Sequence, residues 1–153
     1  VELKTIPLRA NGKPVESTFV CSLPAARIAD TDWAASPVRL KLQRVLWIPI
    51  ESGSASVAFA QRRVGRPLLW SMSPAEDALL EEDYDAIVQA IAIDGLEALD
   101  ARVGTYLQVR PKAASSRVVR RAPTREGPEL TNPRGFYLRT AFTARLFVAS
   151  DAG

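Results

Sequence analysis

Residues 45–50 (Val-Leu-Trp-Ile-Pro-Ile) form a run that is nearly continuous in apolar side chains. A strand with one solvated face alternates polar and apolar residues, whereas an uninterrupted apolar run is typical of a strand that is covered on both faces. We therefore predict a central strand here. Strands and helices are both expected in the rest of the chain, without strict alternation, and this pattern favours a mixed α+β or α/β fold.

Residues 73–76 (Ser-Pro-Ala-Glu) predict the start of a helix, with Ser as N-cap, Pro at the first position and Glu completing a capping box. Apolar residues from Tyr84 to Ile91 then follow the i, i+3, i+4, i+7 spacing of a buried stripe. Gly95 is expected to end this helix. Residues 96–103 are expected to form a second helix, which Gly104 ends.

The amino-terminal residues predict a β-hairpin: a strand over residues 1–8, a turn at residues 11–14 (Asn-Gly-Lys-Pro) and a returning strand over residues 17–23. Because side chains alternate along a strand, Val1 and Leu3 are expected to face the core, with Glu2 and Lys4 together on the other face.

The remaining elements are predicted with less regular patterns. They are a short helix at 37–42, a strand at 63–70 weakened by Gly and Pro, and a strand at 105–109. A basic connector at 113–129 follows, with at most a short helix and then a mobile loop whose arginines reach phosphates. A turn and strand at 132–139 and a final helix from Thr140 complete the chain.

Length and composition favour one globular domain over residues 1–153, with 47% hydrophobic residues and a mean hydropathy near zero. No apolar run approaches the roughly 18 residues of a membrane span, and no signal peptide is evident, so a cytoplasmic protein is expected. The single cysteine, Cys21, is interpreted as a buried structural thiol, and Trp33, Trp47 and Trp70 as core or boundary anchors.

The absence of histidine excludes Ser-His-Asp and Cys-His catalysis and most zinc enzymes. A hydrolase of this composition would need a hard metal ion held by oxygen ligands. Charge is also uneven: residues 71–100 hold nine of the 17 acidic residues and none of the 20 basic ones. This asymmetry suits a polyanionic ligand on the basic side, although a solvated surface of mixed charge is the alternative.

Three short motifs could carry chemistry, and each has an ordinary structural alternative. Glu2 and Lys4 could hold a metal ion and a phosphate, but Glu-x-Lys in a strand is commonly a charge pair. Residues 110–112 (Arg-Pro-Lys) could read a guanine edge and a phosphate, or form a solvated turn. Tyr137, within residues 133–137, could touch a base or belong to the core.

Considered together and in order, these segments closely resemble the MutH family of mismatch-repair endonucleases over about residues 1–147. The segments that carry the resemblance are residues 2–7 (Glu-Leu-Lys-Thr-Ile-Pro), 18–21 (Thr-Phe-Val-Cys), 44–49 (Arg-Val-Leu-Trp-Ile-Pro), 60–65 (Ala-Gln-Arg-Arg-Val-Gly), 67–70 (Pro-Leu-Leu-Trp), 110–114 (Arg-Pro-Lys-Ala-Ala) and 133–138 (Pro-Arg-Gly-Phe-Tyr-Leu).

The resemblance implies a restriction-endonuclease-like PD-(D/E)xK fold and Mg²⁺-dependent nicking of the unmethylated DNA strand at hemimethylated GATC sites. It implies that Glu2 is a catalytic carboxylate and metal ligand, and that Lys4 and Lys41 are catalytic lysines. The side chains that it implies for DNA contact are Phe19, Arg110, Pro111, Lys112 and Tyr137. It further implies a bacterial, nucleoid-associated monomer that is activated by a MutL-like protein, which MutS recruits.

In the family, a first catalytic aspartate and a helical arm precede the position of Val1, so an N-terminally truncated domain with little or no nicking activity is expected. Such a chain could be a fragment of a full enzyme or a natural remnant. A catalytically silent GATC-binding module, like the allosteric half of Sau3AI-type enzymes, is the alternative function. A third possibility is a protein-docking domain that uses Glu81, Glu82 and Asp85 of the acidic segment.

Overall fold

A computed structural model describes residues 1–53, 58–112, 120–124, 127–131 and 133–150. Its strands are β1 (Glu2–Arg9), β2 (Thr18–Ser22), β3 (Arg44–Gly53), β4 (Arg63–Val64), β5 (Leu68–Ser71), β6 (Leu107–Pro111), β7 (Arg120–Thr124), β8 (Gly127–Thr131) and β9 (Arg134–Leu138). Its α-helices are α1 (Pro37–Leu42), α2 (Pro74–Asp94) and α3 (Thr140–Ser150). The mixed α/β class predicted from the sequence is confirmed.

Two larger sheets and one hairpin organise the strands. In the first sheet, β1 runs parallel to β3, while β5 and β4 pair antiparallel with successive stretches of β3. The second sheet is antiparallel in the order β2-β9-β6, and β7 pairs with β8. The prediction that residues 45–50 form a central strand is therefore confirmed, because β3 has partners on both edges.

The helix α2 begins as the sequence predicts. The Ser73 hydroxyl oxygen accepts the Glu76 N–H at 3.3 Å, and a Glu76 carboxylate oxygen accepts the Ser73 N–H at 2.8 Å. At its other end, Gly95 has a φ of +81°, and its N–H donates to the carbonyl of Ile91. Within the described part of the chain, no helix is both long enough and apolar enough to cross a membrane.

Buried side chains from both sheets and all three helices form one hydrophobic cluster. The α3 side chains Phe147 and Phe142 meet Trp47 and Trp70 edge to face, with ring centroids 6.4 and 6.0 Å apart. All three tryptophans are buried, as predicted. Cys21 is a buried free thiol, which confirms its interpretation.

The predicted hairpin between β1 and β2 is wrong. The turn does form, because the Arg9 N–H donates to the carbonyl of Lys13 and Leu8 makes an isolated bridge to Pro14. The returning strand β2, however, pairs with β9 and not with β1. The edge of β1 is occupied by β3 instead, through eight residue pairs of parallel register.

The predicted orientation of β1 is also wrong. Leu3 is 62% exposed, whereas Lys4 is buried together with Ile6 and Leu8. Glu2 and Lys4 do share a face, as alternation requires, but this face points into the molecule. Alternation fixes which residues share a face and leaves open which face is covered. Ile6 and Leu8 lie on the same face as Lys4, and their burial places that face in the core.

Three further predictions are corrected. Residues 96–103 form turns rather than a second helix. The strand predicted at 63–70 is two strands, β4 and β5, because residues 65–67 (Gly-Arg-Pro) interrupt it. Within the connector predicted at 113–129, residues 120–124 and residues from 127 onward form the antiparallel pair β7 and β8 instead of a mobile loop. Residues 113–119, 125 and 126 lie outside the described part of the chain, so the short helix stays a prediction.

Candidate active site and nucleic-acid interface

Glu2, Lys4 and Lys41 lie together at the amino-terminal end of β1. Glu2 Oε1 lies 3.4 Å from Lys4 Nζ and 3.4 Å from Lys41 Nζ. Lys41 reaches this position from the last turn of α1, whose N-cap is Ser36. The three residues that the sequence suggested for catalysis are therefore neighbours, although 39 positions of sequence separate Lys41 from Glu2.

Burial and charge act in opposite directions on Glu2. Desolvation raises its pKa, but the ammonium groups of Lys4 and Lys41 together outweigh this effect and hold the pKa below its ordinary value. For Lys4, burial lowers the pKa, and the attraction to Glu2 offsets only part of that decrease. The site thus combines an acidic carboxyl group with a lysine whose charge is costly to bury.

Lys4 is also held by the backbone of β2. Its ammonium donates to the carbonyl oxygen of Phe19 at 3.0 Å and to that of Val20 at 3.5 Å. The register between β2 and β9 shifts between Phe19 and Cys21, so Val20 is left out of that pairing. This irregularity allows two successive carbonyls to approach one ammonium group, and it fixes Lys4 to the second sheet.

The residues suggested for DNA contact gather on the second sheet. The rings of Phe19 and Tyr137 meet edge to face, with centroids 5.3 Å apart. The Arg110 guanidinium carbon lies 5.7 Å from the Tyr137 centroid, and Lys112 Nζ lies 5.0 Å from the Phe19 centroid. Pro111 lies between these two exposed basic residues at the end of β6.

One open cavity of about 500 Å³ joins the two groups of residues. Its walls include Lys4 from the first group and Phe19, Arg110, Pro111 and Tyr137 from the second. Glu2 contacts both Lys4 and Lys41, and Lys112 lies against Phe19, although these three residues do not line the cavity. The eight residues suggested by the sequence are therefore neighbours in one region of the molecule.

Glu2 is suited to be one ligand of a divalent metal ion. Both ammonium contacts are made to Oε1, and Oε2 takes part in neither. Mg²⁺ commonly uses one or two protein carboxylates, with water and substrate phosphate completing its shell. Among the described residues, no group of three or more His, Cys, Asp or Glu side chains is placed to hold a metal ion. Glu2 would supply one such carboxylate.

Two supporting residues were missed by the sequence analysis. A Cβ at Gly135 would lie 2.6 Å from a ring carbon of Phe19, so a larger residue there would displace the Phe19 ring. Gln108 is buried in β6, and its Nε2 donates to Ser17 Oγ at 2.8 Å on the cavity wall. The sequence signal for Gln108 was its position as a polar residue between the apolar residues Leu107 and Val109 of a predicted strand. The role of Gly135 depends on tertiary contact alone.

Comparison with known proteins identifies the family of this chain. The family model described as DNA mismatch repair enzyme MutH matches residues 1–83. The DNA mismatch repair protein MutH of Shewanella oneidensis is 48% identical over 147 residues, which cover 95% of this chain and 66% of that protein. The MutH proteins of Shewanella sp. strain MR-7 and Shewanella baltica strain OS155 are 49% and 46% identical over the same length.

The chain thus spans about two thirds of the length of these relatives, 66% in each case. The family model covers more than half of the chain, including β1, α1 and β3, which carry or support the site. The chain therefore belongs to the MutH family of DNA mismatch-repair enzymes.

Proposed function

We propose that the protein is a Mg²⁺-dependent endonuclease of the PD-(D/E)xK fold that nicks the unmethylated strand of hemimethylated GATC sites in double-stranded DNA. The observation that carries the proposal is the cavity of about 500 Å³ that Lys4 shares with Phe19, Arg110 and Tyr137. The Lys4 ammonium also donates to the carbonyl oxygen of Phe19, so the lysine suited to phosphate chemistry adjoins the residues suited to base contact. DNA bound there would meet both sets of groups at once.

In the proposed reaction, a water molecule attacks the scissile phosphorus and the P–O bond to the leaving sugar oxygen breaks. The water gives up a proton to solvent, and the leaving oxygen takes one up. Glu2 would hold the Mg²⁺ ion beside this phosphate. When bound, the ion supplies positive charge against the phosphate and makes a nearby water molecule more acidic. Lys4, fixed by the carbonyls of Phe19 and Val20, orients the attacking water and stabilises the charge that develops on the phosphate oxygens. Lys41 is more exposed than Lys4 and adds a second positive charge beside the phosphate.

Base reading is assigned to the corner at the end of β6. Arg110 offers two parallel donors of the kind that suit the O6 and N7 atoms of guanine. Lys112 contacts a backbone phosphate, and Pro111 restricts the backbone between them. The aromatic pair of Phe19 and Tyr137 presents an apolar surface to the adenine position, where a methyl group distinguishes the two strands.

The proposed setting follows from the family. The protein acts in the bacterial cytoplasm, associated with the nucleoid, as a monomer that a MutL-like activator stimulates after MutS has bound a mismatch. In this setting the basic reading corner faces DNA, while the exposed acidic residues of α2 remain available to a protein partner.

The test uses the full-length protein and a supercoiled plasmid that carries one hemimethylated GATC site. We expect conversion to the open circle in Mg²⁺, with the break in the unmethylated strand, and no conversion when the site is scrambled. Glu2→Gln and Lys4→Met should each slow nicking by at least about 100-fold, as the loss of a group that stabilises transition-state charge does. Lys13→Met, in the exposed turn after β1, is the matched control and should leave the rate unchanged.

Binding is measured in parallel with Ca²⁺ in place of Mg²⁺, across a series of salt concentrations. Preference for GATC without any nicking in Mg²⁺ would indicate the silent binding module instead of the nuclease. Equal affinity for GATC and scrambled duplexes, together with no nicking, would contradict both functions.

A further inference from the structure

Asp83 is a buried carboxylate in the middle of α2 that none of the roles above uses. Its side chain accepts three consecutive backbone N–H groups: Thr105 at 2.7 Å on Oδ1, and Tyr106 at 2.6 Å and Leu107 at 2.8 Å on Oδ2. Only 6% of the residue is exposed. Hydrogen bonds to an ionised acceptor in a buried setting are among the stronger ones in proteins. Asp83 therefore clamps α2 to the segment that leads into β6.

The turn before β6 is shaped closely around this carboxylate. Gly104 has a φ of +85°, and a Cβ there would lie 2.0 Å from the carbonyl oxygen of Leu107 and 3.4 Å from Cγ of Asp83. An L-amino acid side chain at position 104 would meet both a strained backbone and a clash. The segment is held from its other side as well, because the Arg139 N–H donates to the carbonyl of Tyr106 at 2.7 Å. The path of the chain into β6 is thus fixed from two directions.

The clamp matters for base reading because β6 carries Arg110. This strand is an edge of the second sheet and has β9 as its only partner among the described strands. Arg110 lies three residues beyond Leu107, about 10 Å along the strand. A change of register by one residue would turn Arg110 to the opposite face of the sheet, and a smaller change of twist would still move its guanidinium. The Asp83 clamp thus gives this edge strand an anchor at its start in addition to its pairing with β9.

We infer that Asp83 is a positioning residue for base reading: it fixes the start and register of β6, and through them the place of Arg110 at the reading corner. Asp83 itself touches no DNA. The inference rests on the proposed function, since it assigns Asp83 to the recognition step of that same site. It predicts that loss of the carboxylate lowers the preference for GATC more than it lowers the affinity for DNA in general.

The experiment compares Asp83→Asn with Asp94→Asn, an exposed aspartate at the end of the same helix. Affinity for a GATC duplex and for a scrambled duplex is measured in Ca²⁺ at fixed salt. The amide retains the shape but offers one acceptor oxygen in place of two, so at least one of the three N–H groups loses its partner. We expect the affinity ratio to fall about 10-fold. Affinity for the scrambled duplex should change less than about twofold, because phosphate contacts dominate it.

A double-mutant cycle separates this inference from the proposed function. Arg110→Ala should lose the GATC preference, and Asp83→Asn added to it should lower the ratio no further, because both changes act through one guanidinium. If Arg110→Ala keeps the preference, the proposed function is wrong. If Arg110→Ala loses it while Asp83→Asn behaves like Asp94→Asn, the positioning role is wrong.

Folding is checked by circular dichroism before binding is measured. If Asp83→Asn is unfolded at every temperature, Asp83→Glu takes its place, since it keeps the charge and displaces the two oxygens by one methylene group. A selective loss of GATC affinity in that variant supports the inference. An equal loss of affinity for both duplexes assigns Asp83 a general structural role and overturns it.

Discussion

Lys4 and Asp83 are the two charged side chains that the described core buries, and both are stabilised by backbone groups. Lys4 donates to two carbonyls of β2, whereas Asp83 accepts three N–H groups at the start of β6. Burying a charge without such partners costs several kcal/mol. The downward shift in the pKa of Lys4 indicates that its partners offset only part of this cost. The site therefore retains a lysine in an environment that stability alone would not select.

The ionisation of Glu2 makes a pH-dependent contribution to stability. Its pKa in the folded protein lies below its ordinary value of 4.5, so the folded state binds fewer protons than the unfolded state between the two values. The stabilisation is complete above pH 4.5 and is lost as the pH falls through the lowered pKa. We predict that Glu2→Gln lowers the free energy of unfolding at pH 7 by about 0.5–1 kcal/mol, a modest value because the carboxyl is partly solvated.

Urea denaturation at pH 7 and at pH 3 measures this contribution. At pH 7 the variant should be less stable than the wild type. At pH 3 the difference should be smaller, because below pH 4.5 the unfolded state takes up a proton at Glu2. Glu82→Gln, the same substitution at an exposed position of α2, is the matched control. A constant difference at both pH values would mean that Glu2 acts through packing and not through its charge.

At the scale of single elements, α2 depends on local interactions at its first turn. The reciprocal bonds between Ser73 and Glu76 satisfy backbone donors that the helix itself leaves free. We predict that Ser73→Ala lowers stability by about 1 kcal/mol. In a domain of this size, such a loss corresponds to a decrease in Tm of about 2–4 °C.

Differential scanning calorimetry checks this prediction, with Ser71→Ala as the matched control. Ser71 is an exposed residue at the end of β5, two positions before the N-cap. It should tolerate alanine with little change in Tm. Equal decreases in both variants would show that the capping box contributes nothing specific to α2.

Elements were predictable from the sequence where their signals are local. The capping box at Ser73, the stop at Gly95 and the short helix α1 all lie within a few residues of the groups that define them. The partner of β2 was not predictable, because β9 lies more than 110 residues further along the chain and no turn signal links the two. Phe19 and Tyr137 could be named as contact residues, but their approach depends on that pairing and on Gly135.

At the scale of the whole molecule, the sequence counts the acidic residues of segment 71–100 but does not show which of them are exposed. Within it, Asp83 is buried against the backbone, and Asp77 accepts hydrogen bonds from Arg39 and Trp33. The bonds from Arg39, which exceed the opposing effect of burial, hold the pKa of Asp77 below its usual range. Glu81, Glu82 and Asp85 remain exposed on α2. A protein partner of α2 would therefore meet the negative charges of Glu81, Glu82 and Asp85, and not those of Asp77 and Asp83.

We predict that this exposed subset docks the MutL-like activator. Changing Glu81, Glu82 and Asp85 to Lys replaces three negative charges with positive ones on a single helix face, so a partner that presents basic groups would be repelled. In a pull-down with the activator, the triple variant should be captured at least about 10-fold less than the wild type, while its affinity for DNA should not fall, because the added charge favours a polyanion. Asp94→Lys, on the same helix, is the control and should be captured normally. If the triple variant is captured at the wild-type level, the activator binds another surface. An electrostatic partner of this helix face would be lost when the charge of the face is reversed.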